Sequence, residues 1–337
     1  MENEIVNEKE FLQTFRYKHN KYFIKTALTR SKIWNIIPLK TSDKRLPLLA
    51  LLSGWLIGDG NLAKATMYFV DLRKEGLMKI KNEILDGFSP ISVSGPYKSH
   101  GETGVYTLLV NDFSLAHLLA KLNVPVGDKT IVEFGIPRIA LINRDTKRMF
   151  LAGLLGSEMP TPVFDSTRKY SITSLFFGMA KSSSYKNSHI VFLEKIREML
   201  LEFKIKTSGI KIKKSKRPNE RPIYGFYIRK NAYNVLRFYL EIPLIYFPDK
   251  YEKFESTIFV LKNKILAEIE NLDKVFELSR VGMSTRQIEK MTKIPKSTVW
   301  QWTSKKRFPR RLKQTDLIRH LVEKTENCQL TRFLPNS

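Results

Sequence analysis

The sequence predicts an α+β fold built from two similar halves and followed by a small all-α module. Two apolar helical segments, residues 52–59 and 151–158, match each other position by position at a spacing of 99 residues. Predicted strands and helices follow each segment in a similar order, whereas the chain after residue 270 contains only short helical patterns. A repeat of about 100 residues is far longer than a solenoid unit, so we expect a pseudo-dimer within one chain.

The elements of each half follow from hydrophobic periodicity. Pro47 is tolerated because it falls in the first turn of its helix, and the apolar positions between residues 75 and 85 recur with a helical period. The first half is predicted to contain a helix at 47–59, a strand at 67–72, a helix at 75–85, strands at 91–93 and 105–110, and a helix at 114–122. The second half is predicted to contain a helix at 147–158, a strand at 170–179, a helix at 190–201, strands at 210–214 and 223–228, and a helix at 232–240.

Each repeated segment ends in a carboxylate, Asp59 in the first and Glu158 in the second. The C-terminal end of a helix carries partial negative charge, so an acid there is destabilising unless a positive group lies nearby. Small residues one turn before each end would let the two helices pack closer than the usual ~8–10 Å. The pattern predicts that the two carboxylates meet and bind a metal ion. An ordinary pair of buried helices is the alternative.

These segments resemble the LAGLIDADG motif of homing endonucleases in their single-chain, two-repeat form. Residues 52–60, LSGWLIGDG, match it closely, and residues 151–159, LAGLLGSEM, match it more loosely, with Glu158 and Met159 in place of Asp and Gly. The linker at 123–130, NVPVGDKT, is also similar to the family. The resemblance implies two pseudo-symmetric αββαββα repeats whose curved sheets form a DNA-binding saddle.

The resemblance also implies a catalytic site. Asp59 and Glu158 would bind Mg²⁺, or Mn²⁺, with help from backbone carbonyls near Gly58 and Ser157. Basic residues near the scissile phosphates complete such sites in the family. The candidates in this chain are Lys98, Arg229 and Lys230.

The charge of the chain points to a nucleic-acid partner. There are 58 Lys and Arg against 33 Asp and Glu, a formal net charge of +25. Cations placed on phosphates release condensed counterions, which drives salt-sensitive binding. The densest charge lies between residues 203 and 230, with ten Lys or Arg and one acid.

One basic strand is a candidate for contact with double-stranded DNA. In the strand at 210–214, Ile210 and Ile212 would face the core while Lys211 and Lys213 would face the open side of the sheet, with Lys214 beside them. A sheet face lined with cations suits the major groove. A basic hairpin that points into solvent is the alternative.

The end of the chain predicts a separate DNA-binding module. A long amphipathic helix at 251–270 leads to a helix at 273–280 and to two short helices at 285–293 and 297–305. The last two resemble the helix-turn-helix of resolvases and phage repressors, with Ile288, Met291, Ile294 and Val299 as the core. The residues expected to face the major groove or the phosphates are Lys296, Ser297, Thr298, Gln301, Lys305 and Arg307. A helical hairpin that packs or dimerises is the alternative.

The predicted domains are a basic N-terminal arm (1–44), a first repeat (45–140), a second repeat (141–250), a linker helix (251–270) and a helix-turn-helix module (271–337). For residues 1–44, an ordinary surface helix followed by a loop is the alternative to an arm.

Composition argues against several other classes of protein. No stretch approaches the ~18 apolar residues of a membrane span, and Met1–Glu4 lacks the basic-then-apolar order of a signal peptide. We therefore expect a soluble intracellular protein of the cytoplasm, nucleoid or an organelle matrix. The single cysteine, Cys328, excludes an internal disulfide and a Cys-rich zinc site. No small-molecule cofactor is expected.

Together these patterns favour a metal-dependent, sequence-specific double-stranded DNA endonuclease of homing type. It would act as a monomer, because two repeats in one chain supply both halves of the active site. Two alternatives remain open. The chain also resembles the WhiA-type bacterial regulators, which bind DNA without cleaving it, and the family includes RNA maturases. The loose second motif leaves room for a regulator, whereas the presence of both acids counts against it.

Overall fold

The computed structural model describes residues 3–12, 28–99, 104–163, 172–173, 175–213 and 221–304. The N-terminal segment packs on the first half of the chain. Strand β1 (Glu4–Val6) pairs antiparallel with β2 (Leu39–Lys40), and helix α1 (Glu8–Leu12) follows β1. Trp34 is buried with its ring edge-on to Phe88, at 5.4 Å between ring centroids. These contacts attach the described parts of residues 1–44 to the first half.

The first half has the order helix–strand–strand–helix–strand–strand–helix. Its elements are α2 (Leu46–Ile57), β3 (Asn61–Leu62), β4 (Thr66–Asp71), α3 (Lys74–Phe88), β5 (Ser92–Lys98), β6 (Tyr106–Asn111) and α4 (Phe113–Lys121). The strands form one antiparallel sheet in the order β3-β4-β6-β5. Register pairs Met67 with Val110 and Phe69 with Leu108, and all four side chains are buried, so this face of the sheet belongs to the core.

The second half follows the same plan over its described residues. Its elements are α5 (Arg144–Glu158), β7 (Leu175–Ala180), α6 (Lys186–Glu202), β8 (Lys211–Lys213), β9 (Ile223–Ile228) and α7 (Ala232–Glu241). The Asn143 side chain accepts hydrogen bonds from the backbone N–H groups of Asp145 and Thr146, which caps α5 at its N-terminus. The sheet is antiparallel in the order β7-β9-β8. Helices combined with antiparallel sheets confirm the predicted α+β class.

The last part of the described chain differs from the prediction in one element. A single helix, α8 (Pro248–Arg280), replaces the two helices expected at 251–270 and 273–280. The separation was wrong because Leu272 and Val275 are buried and continue the apolar stripe of Ile265 and Ile269. No glycine or proline interrupts the helix after Pro248.

Two short helices follow α8, namely α9 (Thr285–Thr292) and α10 (Lys296–Thr303). Ser284 and Gln287 form a reciprocal capping box at the start of α9. Val275, Ile288 and Val299 form the buried core of this two-helix element. Met291, which we expected in that core, is 53% exposed. Leu278, Met283, Ile294 and Trp302 pack against the core in its place.

Two compact units divide the chain. The first contains Met1–Pro162, Thr173–Arg229 and Glu241–Lys253, and the second contains Val163–Ile172, Lys230–Leu240 and Phe254–Ser337. The motif helices α2 and α5 and both sheets belong to the first unit. The two-helix element belongs to the second.

Inside the first unit, α2 and α5 pack backbone to backbone. A Cβ atom built on Gly54 would lie 2.2 Å from the carbonyl oxygen of Phe150, and one on Gly153 would lie 2.2 Å from that of Leu51. Both distances are far shorter than any real Cβ contact, so only glycine fits at either position. The small-residue stripes predicted from the sequence therefore face each other.

This contact predicts that Gly153→Ala destabilises the protein. The added methyl group meets backbone and not a movable side chain, so we expect the free energy of unfolding to fall by about 1–3 kcal/mol. Gly87→Ala on α3 is the matched control, because its Cβ would lie 3.4 Å from its nearest neighbour, Leu48 Cδ2. We expect that variant to be unchanged or more stable by about 0.5–1 kcal/mol. Urea denaturation measures both, and equal effects of the two substitutions would contradict the close packing.

Candidate active site

The packing of α2 on α5 brings the ends of the two motif helices into contact. Helix α2 ends at Ile57, and Asp59 lies two residues beyond it, whereas Glu158 is the last residue of α5. A Cβ atom on Gly58 would lie 1.8 Å from Ser157 Oγ and 3.2 Å from Glu158 Cγ. The residues that precede the two acids thus touch, and the carboxylates enter one electrostatic cluster.

The environment of both carboxylates favours their neutral forms. Burial raises the pKa of Glu158 to about 7, and the negative charge of Asp59 adds to that rise. Asp59 keeps part of its side chain open to solvent. The surrounding protein nevertheless removes enough water from its carboxylate to raise its pKa. The pair is therefore both reachable from solvent and costly to ionise.

Two lysines, Lys129 and Lys250, offset these charges. Their positive charges lower the pKa of both Asp59 and Glu158 and oppose the effect of burial. Burial in turn lowers the pKa of each lysine, and the two acids raise it. Two acids and two bases thus form a cluster whose formal charges balance.

The lysines also cap the two motif helices. The Lys129 ammonium donates to the carbonyl of Gly60 at 3.0 Å and to that of Leu56 at 3.5 Å, at the end of α2. The Lys250 ammonium donates to the carbonyl of Ser157 at the end of α5. Cations are favourable at helix C-termini, so each motif helix has the same kind of partner.

An aromatic contact positions Lys250. Phe247 packs its ring in the space that Gly156 leaves on α5, where a Cβ atom would lie 2.1 Å from Phe247 Cε2. The same ring lies 4.4 Å from that of Trp55 on α2, measured between centroids. Lys250 follows three residues later in the first turn of α8. Its main chain is therefore tied to both motif helices.

A third acid, Asp71, lies in the same electrostatic neighbourhood at the end of β4. Burial raises its pKa to about 6, while a hydrogen bond from the Arg73 backbone and the charge of Lys250 lower it. Arg73 in turn pairs with Glu252 at 2.7 Å and lies 3.8 Å from Asp249. From the sequence, Asp71 was predicted only as part of a strand, without a role in the site.

Lys129 and Lys250 were not predicted as residues of the site either. A weak signal for them exists, because the dipeptide Asp-Lys occurs near the end of each repeat, at 128–129 and at 249–250. The same dipeptide occurs at 43–44 and 273–274, so it does not identify the pair by itself.

The basic residues that we expected in the site lie in other surroundings. Lys98 is exposed at the end of the edge strand β5. The Arg229 side chain donates to the carbonyl of Thr207 at 3.4 Å. Lys230, in the second unit, donates to the carbonyl of Ile172 at 3.2 Å. The cations that act on both carboxylates are instead Lys129 and Lys250, and a catalytic role for the other three stays a prediction.

The open face of the second sheet carries two of the predicted DNA-contacting lysines. Register pairs Lys211 with Gly225 and Lys213 with Ile223, on the side opposite buried Tyr224. Ile212 lies on the core side but stays 50% exposed, because β8 is a short edge strand. The Lys213 ammonium lies 3.4 Å from the centroid of the Phe176 ring. Lys214 lies outside the described residues.

The two-helix element presents the other predicted contacts at the start of α10. Lys296 and Ser297 are exposed, whereas Thr298 and Gln301 are partly buried. The backbone N–H of Lys296 donates to a carboxylate oxygen of Glu289 at 2.9 Å, which ties α10 to α9. Lys293 between them adopts a left-handed conformation, with φ of 61°. Lys305 and Arg307 lie outside the described residues.

The residues of the cluster fit a divalent cation of the Mg²⁺ type. In the ranges that the structure describes, no group of three or more His, Cys, Asp and Glu side chains is arranged to hold a metal. Mg²⁺ needs only one or two carboxylates when phosphate and water fill its remaining positions. A cation would relieve the repulsion with Asp59 that helps to raise the pKa of Glu158. The Ser157 carbonyl already accepts a hydrogen bond from Lys250, so a metal ion would compete with that lysine for this oxygen.

Comparison with known sequences finds partial matches to proteins of several kinds, and no family model matches the chain. It is 27% identical over 233 residues to the replication factor C small subunit of Methanocaldococcus jannaschii, a match that covers 65% of this chain and 12% of that protein. It is 26% identical over 291 residues to the tRNA-splicing ligase RtcB of Pyrococcus furiosus, covering 76% and 29%. It is 30% identical over 192 residues to the RNA polymerase subunit Rpo1N of M. jannaschii, covering 50% and 14%. The chain thus spans less than a third of the length of each of these relatives.

Comparison with solved structures finds distant similarities. I-DmoI in complex with DNA and Ca shares 18% identity and a TM-score of 0.36, covering 56% of this chain and 85% of that one. The homing endonuclease I-WcaI bound to its DNA recognition sequence shares 18% sequence identity with this chain at a TM-score of 0.38. The match covers 74% of this chain and 98% of that one. WhiA from Thermatoga maritima shares 12% sequence identity with this chain at a TM-score of 0.37. The match covers 89% of this chain and 97% of that one. Scores this low assign no function to the chain. Among the described helices, none is long and apolar enough to cross a membrane.

The raised pKa of Glu158 predicts a pH-dependent stability. The folded state holds a proton that the unfolded state releases between about pH 4.5 and 7, so the wild-type protein loses stability as the pH rises through this window. Glu158→Gln cannot ionise and escapes that loss. We therefore expect the variant to gain about 1–3 kcal/mol relative to wild type between about pH 4 and pH 8, without divalent cations.

Glu198→Gln on the exposed face of α6 is the control, because removal of one charge from a surface ion pair has little effect. Urea denaturation across this pH range measures the three proteins. A constant difference between Glu158→Gln and wild type would show that Glu158 ionises as readily in the folded as in the unfolded chain.

Proposed function

We propose that this protein is a metal-dependent endonuclease that hydrolyses phosphodiester bonds in double-stranded DNA. The observation that carries the proposal is the cluster at the ends of α2 and α5. At these two equivalent helix ends, two carboxylates and two lysines form one site, and the site is open to solvent at Asp59. A phosphodiester is an anion, and its hydrolysis develops further negative charge, so carboxylates are useful there only beside strong positive charge.

The residues of the cluster would divide the work between them. Asp59 and Glu158, with the Gly58 carbonyl, would hold Mg²⁺, which when bound lowers the pKa of a water molecule and stabilises the leaving oxygen. Ser157 would contribute its carbonyl if Lys250 moved away. Lys129 and Lys250 would place positive charge beside the scissile phosphates, each at the end of one motif helix. Two such half-sites suit cleavage of both strands by one chain.

The rest of the first unit supports contact with DNA. Lys211 and Lys213 line the open face of the second sheet. The open face of the first sheet carries uncharged Thr66 and Tyr68 on β4, opposite Asn111 and Leu109. Because the two faces differ in charge and side-chain type, the protein would recognise an asymmetric duplex.

Replacing the acids predicts loss of cleavage without loss of binding. Asp59→Asn and Glu158→Gln each remove one charge that would hold the metal, and we expect either to reduce double-strand cleavage by at least about 10³-fold. Affinity for the duplex should stay within about threefold, because phosphate contacts come from cations elsewhere. Asp86→Asn on the exposed surface of α3 is the matched control. The assay is cleavage of plasmids that carry candidate sites, with and without Mg²⁺, alongside a binding titration.

Strong Mg²⁺-dependent cleavage by the Asp59→Asn/Glu158→Gln double variant would overturn the assignment of the site. A wild-type protein that cuts no DNA in Mg²⁺ or Mn²⁺ would instead favour a second candidate.

That second candidate is a regulator that binds DNA without cleaving it. The observation in its favour is the charge balance of the cluster, because Lys129 and Lys250 already offset Asp59 and Glu158 without a metal. Light scattering of the protein with a bound duplex helps to separate the candidates. The endonuclease would bind as one chain on an asymmetric site, whereas a two-chain complex on a symmetric site is typical of regulators.

We further propose that α9 and α10 act as a helix-turn-helix whose second helix contacts DNA. The support is the exposed start of α10, where Lys296 and Ser297 lie beside the buried core of the element. Lys296→Ala should then weaken DNA binding severalfold and reduce the slope of log K against log salt by about 1.

The control for this substitution is Lys274→Ala, which removes an exposed lysine from α8 outside the two short helices. Fluorescence anisotropy with a labelled duplex over a range of salt concentrations measures both variants. An unchanged salt slope for Lys296→Ala would show that this residue makes no phosphate contact.

A further inference from the structure

We propose that Lys181 is a positioning residue for Lys129. It fixes the main chain of residues 128–134, in the linker between the two halves, so that the Lys129 side chain stays at the end of α2. The inference rests on the proposed function, since it concerns a lysine of the candidate active site. The position of the Lys129 side chain can also be tested without cleavage, through the reactivity of its amine.

Lys181 follows directly after β7 and is only 2% exposed. Its ammonium donates to the carbonyl of Lys129 at 2.7 Å and to that of Val132. It also lies 4.2 Å from the centroid of the Phe134 ring, within the range of a cation–π interaction. Three acceptors from one short segment of the linker therefore surround one buried cation.

A second contact beside Lys181 holds the same segment. The backbone N–H of Ser182 donates to the carbonyl of Thr130 at 2.9 Å. On its other side, Lys181 is joined to the second sheet, because its own N–H donates to the carbonyl of Pro222 at 3.1 Å. The linker is thus fixed to the end of β7 at the carbonyls of two consecutive residues, Lys129 and Thr130.

The arrangement is costly, which argues against an incidental contact. A buried ammonium loses the hydration that it has in water, and the loss must be offset by other acceptors. Burial lowers the pKa of Lys181 to about 8, while the charges of Asp128 and Glu133 raise it. Both of these acids belong to the linker as well. The acceptors and the charges that compensate Lys181 thus come from the segment that it holds.

Lys129 needs such an anchor more than Lys250 does. Lys250 lies in the first turn of α8, three residues after Phe247, whose ring packs on both motif helices. Lys129 lies in a part of the linker that forms neither helix nor strand. A lysine side chain is long and flexible, so its ammonium reaches Gly60 reproducibly only if its main chain is fixed. The hydrogen bond from Lys181 goes to the carbonyl of Lys129 itself.

The test compares Lys181→Met, Lys129→Met and the double variant. Misplacement of a catalytic group by about 1 Å costs up to about 10²-fold in rate, so Lys181→Met should reduce single-turnover cleavage by about 10- to 100-fold with DNA affinity unchanged within about twofold. In the Lys129→Met background, loss of Lys181 should reduce the rate by less than about twofold, because there is no ammonium left to position. Lys195→Met, which removes an exposed lysine of α6, should leave the rate unchanged within about twofold.

A second measurement does not depend on cleavage. Acylation of lysine amines, read by mass spectrometry, should modify Lys129 severalfold faster in Lys181→Met than in wild type, with the rate at Lys250 unchanged. If Lys181→Met does not fold, Lys181→Arg takes its place, because it keeps a cation but its larger head group displaces the linker.

The two measurements separate the inference from the proposed function. If loss of Lys181 reduces the cleavage rate equally with and without the Lys129 ammonium, the positioning role is overturned. Acylation of Lys129 that is unchanged in Lys181→Met would overturn it as well. If wild type cuts no DNA but Lys129 becomes more reactive on loss of Lys181, the positioning role holds and the proposed endonuclease activity fails.

Discussion

The glycine-mediated contact between α2 and α5 is the constraint on which the candidate site depends. Side chains normally keep packed helices ~8–10 Å apart, and here Gly54 and Gly153 let backbone approach backbone. Only at that separation do Gly58 and Ser157 touch and Asp59 and Glu158 share one electrostatic environment. The same helices provide the surface on which Phe247 docks, and through it the position of Lys250.

Close packing of two acids creates an electrostatic problem that the fold solves with two lysines. Burial alone would keep the carboxylates neutral, because a charge in a poorly hydrated site is expensive. Lys129 and Lys250 oppose that effect and also satisfy carbonyl groups at the helix ends. The cluster is therefore stable as it stands and still open to solvent at Asp59. Such a balance suits the proposed endonuclease, in which the acids would bind a divalent ion while the two lysines would face a phosphate.

The two lysines reach equivalent positions by different structural means. Lys250 is carried by a helix whose start is fixed by an aromatic ring, whereas Lys129 is carried by an irregular linker held by the buried ammonium of Lys181. The two halves also differ in their sheets, with uncharged residues such as Thr66 and Tyr68 on one open face and Lys211 and Lys213 on the other. The two halves thus share equivalent motif helices, while the segments around them make the surroundings of the two acids unequal.

The sequence by itself determined the repeat, the α+β class and the meeting of Asp59 with Glu158, because helical period, small-residue stripes and terminal acids are all local patterns. Only the tertiary structure decided which cations join the acids. Lys129 lies 70 residues after Asp59 and Lys250 lies 92 residues after Glu158, and each lysine acts on both acids. Asp-Lys pairs also occur elsewhere in the chain, so no local pattern selects the two lysines. Lys98, Arg229 and Lys230 were chosen by charge, and a catalytic role for them stays a prediction. The position of a charged side chain follows from long-range contacts, here Phe247 on Gly156 and Lys181 on the linker, which sequence periodicity does not encode.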